Sequence, residues 1–248
     1  MIGQTWDWLT DPAHWQGPEG IPVRLAQHLW ISFLAMALAC VVALPLGIWL
    51  GHRGRGGLLA INVSNAGRAV PTFGVLIIFA SSDLIGIGDL AAILALAVFA
   101  IPPILTNTYV GLREVDPDVK DAATGMGMTG TQQLFRVELP LARPLVFAGL
   151  ATSTVQTVAT ATLAALVAGG GLGRFIVDGY ARQDYPMLYG GTVLVAALCI
   201  SLELLLRAGQ RRLDPRGRGA RSGPLLGATS PTPASETETE TETSVIGS

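Results

Sequence analysis

Charge is what this sequence has least of. Asp, Glu, Lys and Arg make up 14% of its 248 residues, against about a quarter in an ordinary soluble domain, which is too little to clothe a water-soluble globule. The net charge of −2 leaves no general electrostatic footprint for nucleic acid. Lysine is nearly missing: of sixteen basic residues only Lys120 is a lysine, and Asp121 follows it. A phosphate-cradling Gly-Lys-Ser/Thr loop is therefore absent, and ATP hydrolysis by that route is excluded. Cys40 and Cys199 both lie inside apolar runs, which favours small core residues over a disulfide framework or a zinc site. His14, His28 and His52 are scattered over flanks without an HExxH pattern, and no Gly-x-Ser-x-Gly elbow occurs. The stretch AGGGLGRF fails as a dinucleotide loop because Arg174 and Ile176 stand at the candidate third-glycine positions. No catalytic residues, metal or cofactor are expected.

What the chain does have is apolar length. Half of it is hydrophobic, mean hydropathy is +0.49, and five apolar segments run over about 27–50, 57–80, 89–111, 144–168 and 187–207. Each meets the roughly 20 helical residues needed to cross a hydrocarbon core, and only helices or closed barrels can do so. The expected class is an all-α, multi-pass protein of the cell membrane with the lipid bilayer as solvent. Trp30 and Trp49 frame the first segment nineteen residues apart, about 29 Å along a helix, as interfacial anchors would. About 25 mostly polar residues precede that segment, so no cleavable signal peptide is expected.

Basic residues orient the spans. The first and third loops and the C-terminal flank hold twelve, and the N-terminal segment with the second and fourth loops holds three, namely Arg24, Arg174 and Arg182. The basic set belongs in the cytoplasm. The chain then divides into an extracytoplasmic N-terminal segment (1–26), a membrane domain (27–210) and a cytoplasmic tail (211–248). The N-terminal segment is either an amphipathic stretch on the outer interface or a loosely ordered lead-in. The tail ends near SETETETETS, a composition that cannot bury enough apolar surface to fold.

The loop between the third and fourth segments carries a pattern of its own. Asp116-Pro117 is a helix start, with aspartate as cap and proline in the first helical position. The helix PDVKDAAT should run to Gly125 or Gly127, where glycine permits a left-handed turn. Thr129 and Gln132 have capping-box spacing for a second short helix, TQQLFRV, which Leu139-Pro140 is expected to end. From the residues alone this hairpin is either a docking element or a simple connector.

The order Asp121-Ala122-Ala123, three residues, Gly127, nine residues, Val137, Glu138, Leu139-Pro140 resembles the Glu-Ala-Ala, Gly, Ile-x-Leu-Pro signature of permease subunits of binding-protein-dependent ABC importers. Asp121 replaces Glu and Val137 replaces Ile. The resemblance covers about residues 24–208 and implies five transmembrane helices of the type I ABC importer permease fold. It also implies that the cytoplasmic loop is a coupling helix docked in a groove of a separate ATPase subunit. Asp121, Ala122, Ala123 and Gly127 would form the docking element, and Leu139 and Pro140 the hand-over into the fourth span. An extracytoplasmic solute-binding protein and a second permease subunit, identical or not, are further implied partners.

GRAVPTFGVLIIF (67–79) and TATLAALVAGGGLGRFIVDGY (160–180) resemble permeases for glycine betaine, choline or carnitine. Amino-acid importers of the methionine type share the architecture, and a stand-alone secondary transporter or channel is the competing class. Arg68 falls inside the second segment, at a cost of about 2.5–3.5 kcal/mol on insertion scales unless it meets water or a partner. It either lines a path or gate, or snorkels near the inner interface. Pro71 is expected to kink the same span. Ser153, Gln156, Thr157 and Thr160 share one face of the fourth span, where they either bond packed helices or line the path. Glu203 and Arg207 have the spacing of an i,i+4 ion pair.

Overall fold

In a computed structural model, residues 2–54, 57, 62 and 71–213 are described, and their regular structure is entirely helical. The chain groups into Met1–Asp214 and Pro215–Ser248. The second group lies outside the described residues, as do Arg68 and the expected tail from residue 214 on, while 211–213 belong to the last helix. The described α-helices are α1 (Ile2–Thr10), α2 (Ile21–Arg53), α3 (Thr72–Ala80), α4 (Asp89–Arg113), α5 (Pro117–Gly125), α6 (Gly130–Gln133), α7 (Leu139–Thr160), α8 (Gly173–Arg182) and α9 (Tyr185–Leu213).

Among the described residues, four helical stretches are long and apolar enough to cross a membrane: Ile21–Arg53, Asp89–Arg113, Gly130–Val167 and Tyr185–Arg211. They contain the first, third, fourth and fifth expected segments. The second, 57–80, is described continuously only from Pro71, as the nine-residue α3. Pro71 stands extended at the N-cap of α3 (φ −69°, ψ 116°), so the expected kink inside a continuous helix is corrected to a helix start. The reason is local: proline carries no N–H, and a helix start requires none there. α2 begins six residues earlier than its apolar core, since Gly20 can cap and Pro22 suits the first turn. Its other end is closed by Gly54 in the left-handed region (φ +65°), whose N–H donates to Gly51 O.

Packing between helices in lipid relies on close fit rather than on water exclusion, and small residues permit it. On α2, Ala35, Ala39, Ala43, Gly47 and Gly51 recur every fourth position and are all buried. They face the buried row Leu96, Ala100, Ile104, Thr108 and Leu112 of α4. A Cβ built on Gly47 would lie 2.8 Å from Thr108 Cβ, and one on Gly51 2.9 Å from Leu112 Cβ. α7 meets the other side of α4 in the same way, with a Cβ on Gly149 falling 2.6 Å from Asn107 Cβ and 3.0 Å from Pro103 O. α4 is therefore the central helix, clasped by α2 and α7.

The end of the bundle opposite α5 is closed by the glycine run after the 3-10 turn Ala161–Val167. Gly170 N–H donates to Asp89 Oδ1 (2.7 Å), and Gly171 N–H to Gln27 Oε1 (3.2 Å). The N-terminal segment begins with α1 and a 3-10 turn, Pro12–Trp15. Trp8 is buried against Phe175 with ring centroids 5.3 Å apart, His14 stacks on it at 4.5 Å, and α9 accommodates the indole at Gly190.

Candidate functional site: the hairpin between α4 and α7

The hairpin is built almost wholly from local signals. Asp116 accepts from Asp118 N–H at 2.9 Å and Pro117 takes the first turn of α5, filling orphan positions that a helix start always leaves. The single lysine anchors the entry to the hairpin, because Lys120 Nζ donates to Leu112 O at 2.9 Å and so caps the last turn of α4. A cation there also suits the negative end of the helix dipole.

Gly127 (φ +80°) closes α5 as a Schellman turn, with Met128 N–H donating to Ala123 O (3.2 Å) and Gly127 N–H to Thr124 O (2.9 Å). Two residues later the capping box forms in full. Gln132 N–H donates to Thr129 Oγ1 (3.4 Å) and Thr129 N–H to Gln132 Oε1 (3.0 Å).

Ala123 is buried and turns toward the bundle, whereas Asp121 and Ala122 are exposed. Val119, Ala122 and Met126 follow each other at helical spacing on the exposed side, and Met126 is 71% exposed. Phe135 beyond the turn is exposed as well. The outward surface of the hairpin is thus a small, rigid, partly apolar helix face with a carboxylate beside it. A second protein can bury such a face, with Met126 and Phe135 as its large apolar side chains.

The expected stop at Leu139-Pro140 is corrected. The chain passes from α6 through a π turn, Leu134–Glu138, into α7 without a break, and the helical stretch is continuous over Gly130–Val167. Leu139 N–H bonds to Leu134 O, five residues back. Pro140 has no N–H to give to residue 136, and its ring would press on that carbonyl in an α-turn. Widening the preceding turn removes the conflict and keeps the helix whole. Leu139 and Pro140 are therefore the start of α7 rather than the end of a separate helix.

Of the four polar candidates on the fourth span, two face inward. Ser153 Oγ donates to Ala100 O (3.0 Å) and Thr157 Oγ1 to Met36 Sδ (3.5 Å), both fully buried. Gln156 is exposed, and Thr160 donates within its own helix to Gln156 O at 2.7 Å. Gln156 and Thr152 line a cleft of about 330 Å³ between α7 and α9, shared with Gln210 and the Glu203–Arg207 ion pair (2.5 Å).

Sequence reasoning passes over two residues at the hairpin. Glu138 is 2% exposed, and His52 Nδ1 lies 2.8 Å from its Oε2. The usable signal is a glutamate directly before an apolar run. Nothing local indicates its partner, 86 residues away.

The fold, a bundle of membrane-length helices with a helical hairpin between two of them, is that of the type I ABC importer permeases. The fold agrees with the MetNI methionine ABC transporter in inward-facing conformations, at a TM-score of 0.68 and 24% identity, over 83% of this chain and 99% of that one. Residues 43–219 match the family described as binding-protein-dependent transport system inner membrane component, and the chain belongs to that family. It is 37% identical over 194 residues to the glycine betaine/carnitine/choline transport system permease protein OpuCB of Bacillus subtilis, covering 78% of this chain and 88% of that protein. It is 38% identical over 191 residues to the choline transport system permease protein OpuBB of the same organism, covering 77% and 87%. The carnitine transport permease protein OpuCB of Listeria monocytogenes is 37% identical over 202 residues, covering 81% and 92%.

Proposed function

We propose that this chain forms the membrane path by which a small osmoprotectant of the glycine betaine, choline or carnitine type is imported. ATP is hydrolysed by a separate subunit docked on the hairpin. The observation carrying the solute class is the identity of 37–38% to permeases named for those solutes, over more than three quarters of the chain. The docking role rests on the hairpin itself: a doubly capped, glycine-hinged element whose exposed face carries Asp121, Ala122 and Met126.

In this reading the hairpin faces the cytoplasm. Closure of the ATPase dimer on ATP moves the docked hairpins, and differential affinity of ATP for the closed form drives the spans between inward- and outward-facing states. The continuity of the π turn with α7 makes the fourth span the direct recipient of that motion.

Ser153 and Thr157 tie α7 to α4 and α2, so the path-lining role falls to Gln156 and Thr160, with Arg68 and Pro71 proposed for the gate. With aromatics only 6% of the chain, an aromatic cage for a quaternary ammonium belongs to an extracytoplasmic binding protein. A second permease subunit completes the path.

The test is uptake of radiolabelled glycine betaine, choline, carnitine and methionine into vesicles holding this chain, its ATPase and its binding protein. ATP-dependent accumulation of a quaternary amine, without methionine, is expected. Methionine uptake alone would move the chain to the amino-acid importers, and uptake without ATP would make it a secondary transporter or channel.

A further inference from the structure

The hairpin's motion enters α7 through the π turn, and the one buried carboxylate of that turn is Glu138. Burying a carboxylate costs several kcal/mol unless it is paired; among the described residues its partner is His52, in the last turn of α2. With the carboxylate as acceptor, Nδ1 carries the hydrogen and donates. The same imidazole reaches the first residue of α6, since a Cβ on Gly130 would lie 3.6 Å from His52 Nε2. At the opposite end of the same two helices, His28 Nε2–H donates to Val158 O at 2.8 Å, fully buried. α2 and α7 are thus pinned together by a histidine at each end, with α4 between them.

We propose that the His52–Glu138 pair makes the hairpin drive α2 and α7 as one body, so that these two residues position the coupling rather than touch ATP or solute. The proposal rests on the reading of the hairpin as the ATPase dock. Without the pin, a docked hairpin would still move, but the π turn would flex against α2, and hydrolysis would proceed with less transport.

The experiment measures solute imported per ATP hydrolysed, together with co-purification of the ATPase subunit, in vesicles with parent and variant chains. His52→Ala and Glu138→Ala are expected to retain the ATPase and its hydrolysis while the transport ratio falls about five- to tenfold, within the usual span of a coupling energy. The double variant should be no worse than either single one, because both remove the same contact. Glu138→Gln keeps an acceptor for Nδ1–H and should stay close to the parent, and the exchange His52→Glu with Glu138→His should recover part of the ratio. Single variants with the parental ratio overturn the proposal. So does a loss that neither Glu138→Gln nor the exchange repairs, since that would be simple misfolding of the turn. Failure of the parent chain to retain the ATPase would instead overturn the docking reading.

Discussion

Gly127 offers the sharpest test of the hairpin because its two possible constraints separate. A Cβ there would meet nothing within 4 Å, so no clash opposes a side chain, yet φ is +80°. The cost of a substitution is therefore backbone strain alone. For a non-glycine residue in the left-handed region it is about 1–2 kcal/mol, with a β-branched valine at the upper end. Asparagine tolerates the conformation better. A strain of that size lowers the equilibrium constant for forming the Schellman turn by roughly five- to thirtyfold.

Gly125, two residues earlier, is the internal control. It is helical, has open space and no positive φ, so Gly125→Ala should be neutral or stabilising by about 0.5–1 kcal/mol. The assay is the affinity of the purified ATPase subunit for the chain in nanodiscs, with uptake measured in parallel. Gly127→Val should weaken both while membrane insertion stays normal. Gly127→Asn should fall between Val and the parent, and Asp121→Ala, which removes one surface group, should be milder than Gly127→Val. If Gly127→Val binds and transports like the parent, or Gly125→Ala does equal damage, the turn is not what the dock depends on.

Three further outcomes are expected. Single cysteines introduced into a chain free of Cys40 and Cys199 should be labelled from outside intact cells near Asp184 but not at position 125; the reverse would invert the orientation inferred from the basic residues. Gly149→Val should lower the folded yield and thermal stability by the about 1–3 kcal/mol of an overpacked contact, because its Cβ would press on Asn107 and Pro103 O; parental melting would show that α4 and α7 have slack. Deleting residues after 222 should leave uptake intact, and loss of uptake at normal membrane levels would assign the Glu-Thr tract a role.

Much of the hairpin is legible in the sequence because its signals are short-range. Asp116-Pro117, Gly127 and the Thr129–Gln132 pair each act within a few residues, and cap and turn chemistry needs no tertiary partner. Pro140 misleads for the complementary reason. Proline does forbid the normal backbone bond, but whether a helix stops or widens into a π turn depends on what holds its two sides, here the buried Glu138 and α7 itself.

By itself, then, the sequence determined that the chain lives in a bilayer, where its apolar segments lie, and that a capped, glycine-hinged hairpin separates two of them. These follow from composition, segment length and neighbours in the chain. Only the tertiary structure decided which side of each span is inward. Ser153 and Thr157 share a face with Gln156 and Thr160 by period, yet the first two are enclosed because α4 and α2 approach there. The stripe from Ala35 to Gly51 permits that approach but does not name its partner. Likewise His28 meets Val158 across 130 residues and His52 meets Glu138 across 86. In lipid every apolar face is equally at ease against tails or neighbours, so the pairing of faces is settled by shape and a few buried polar bonds that form only once the helices have packed.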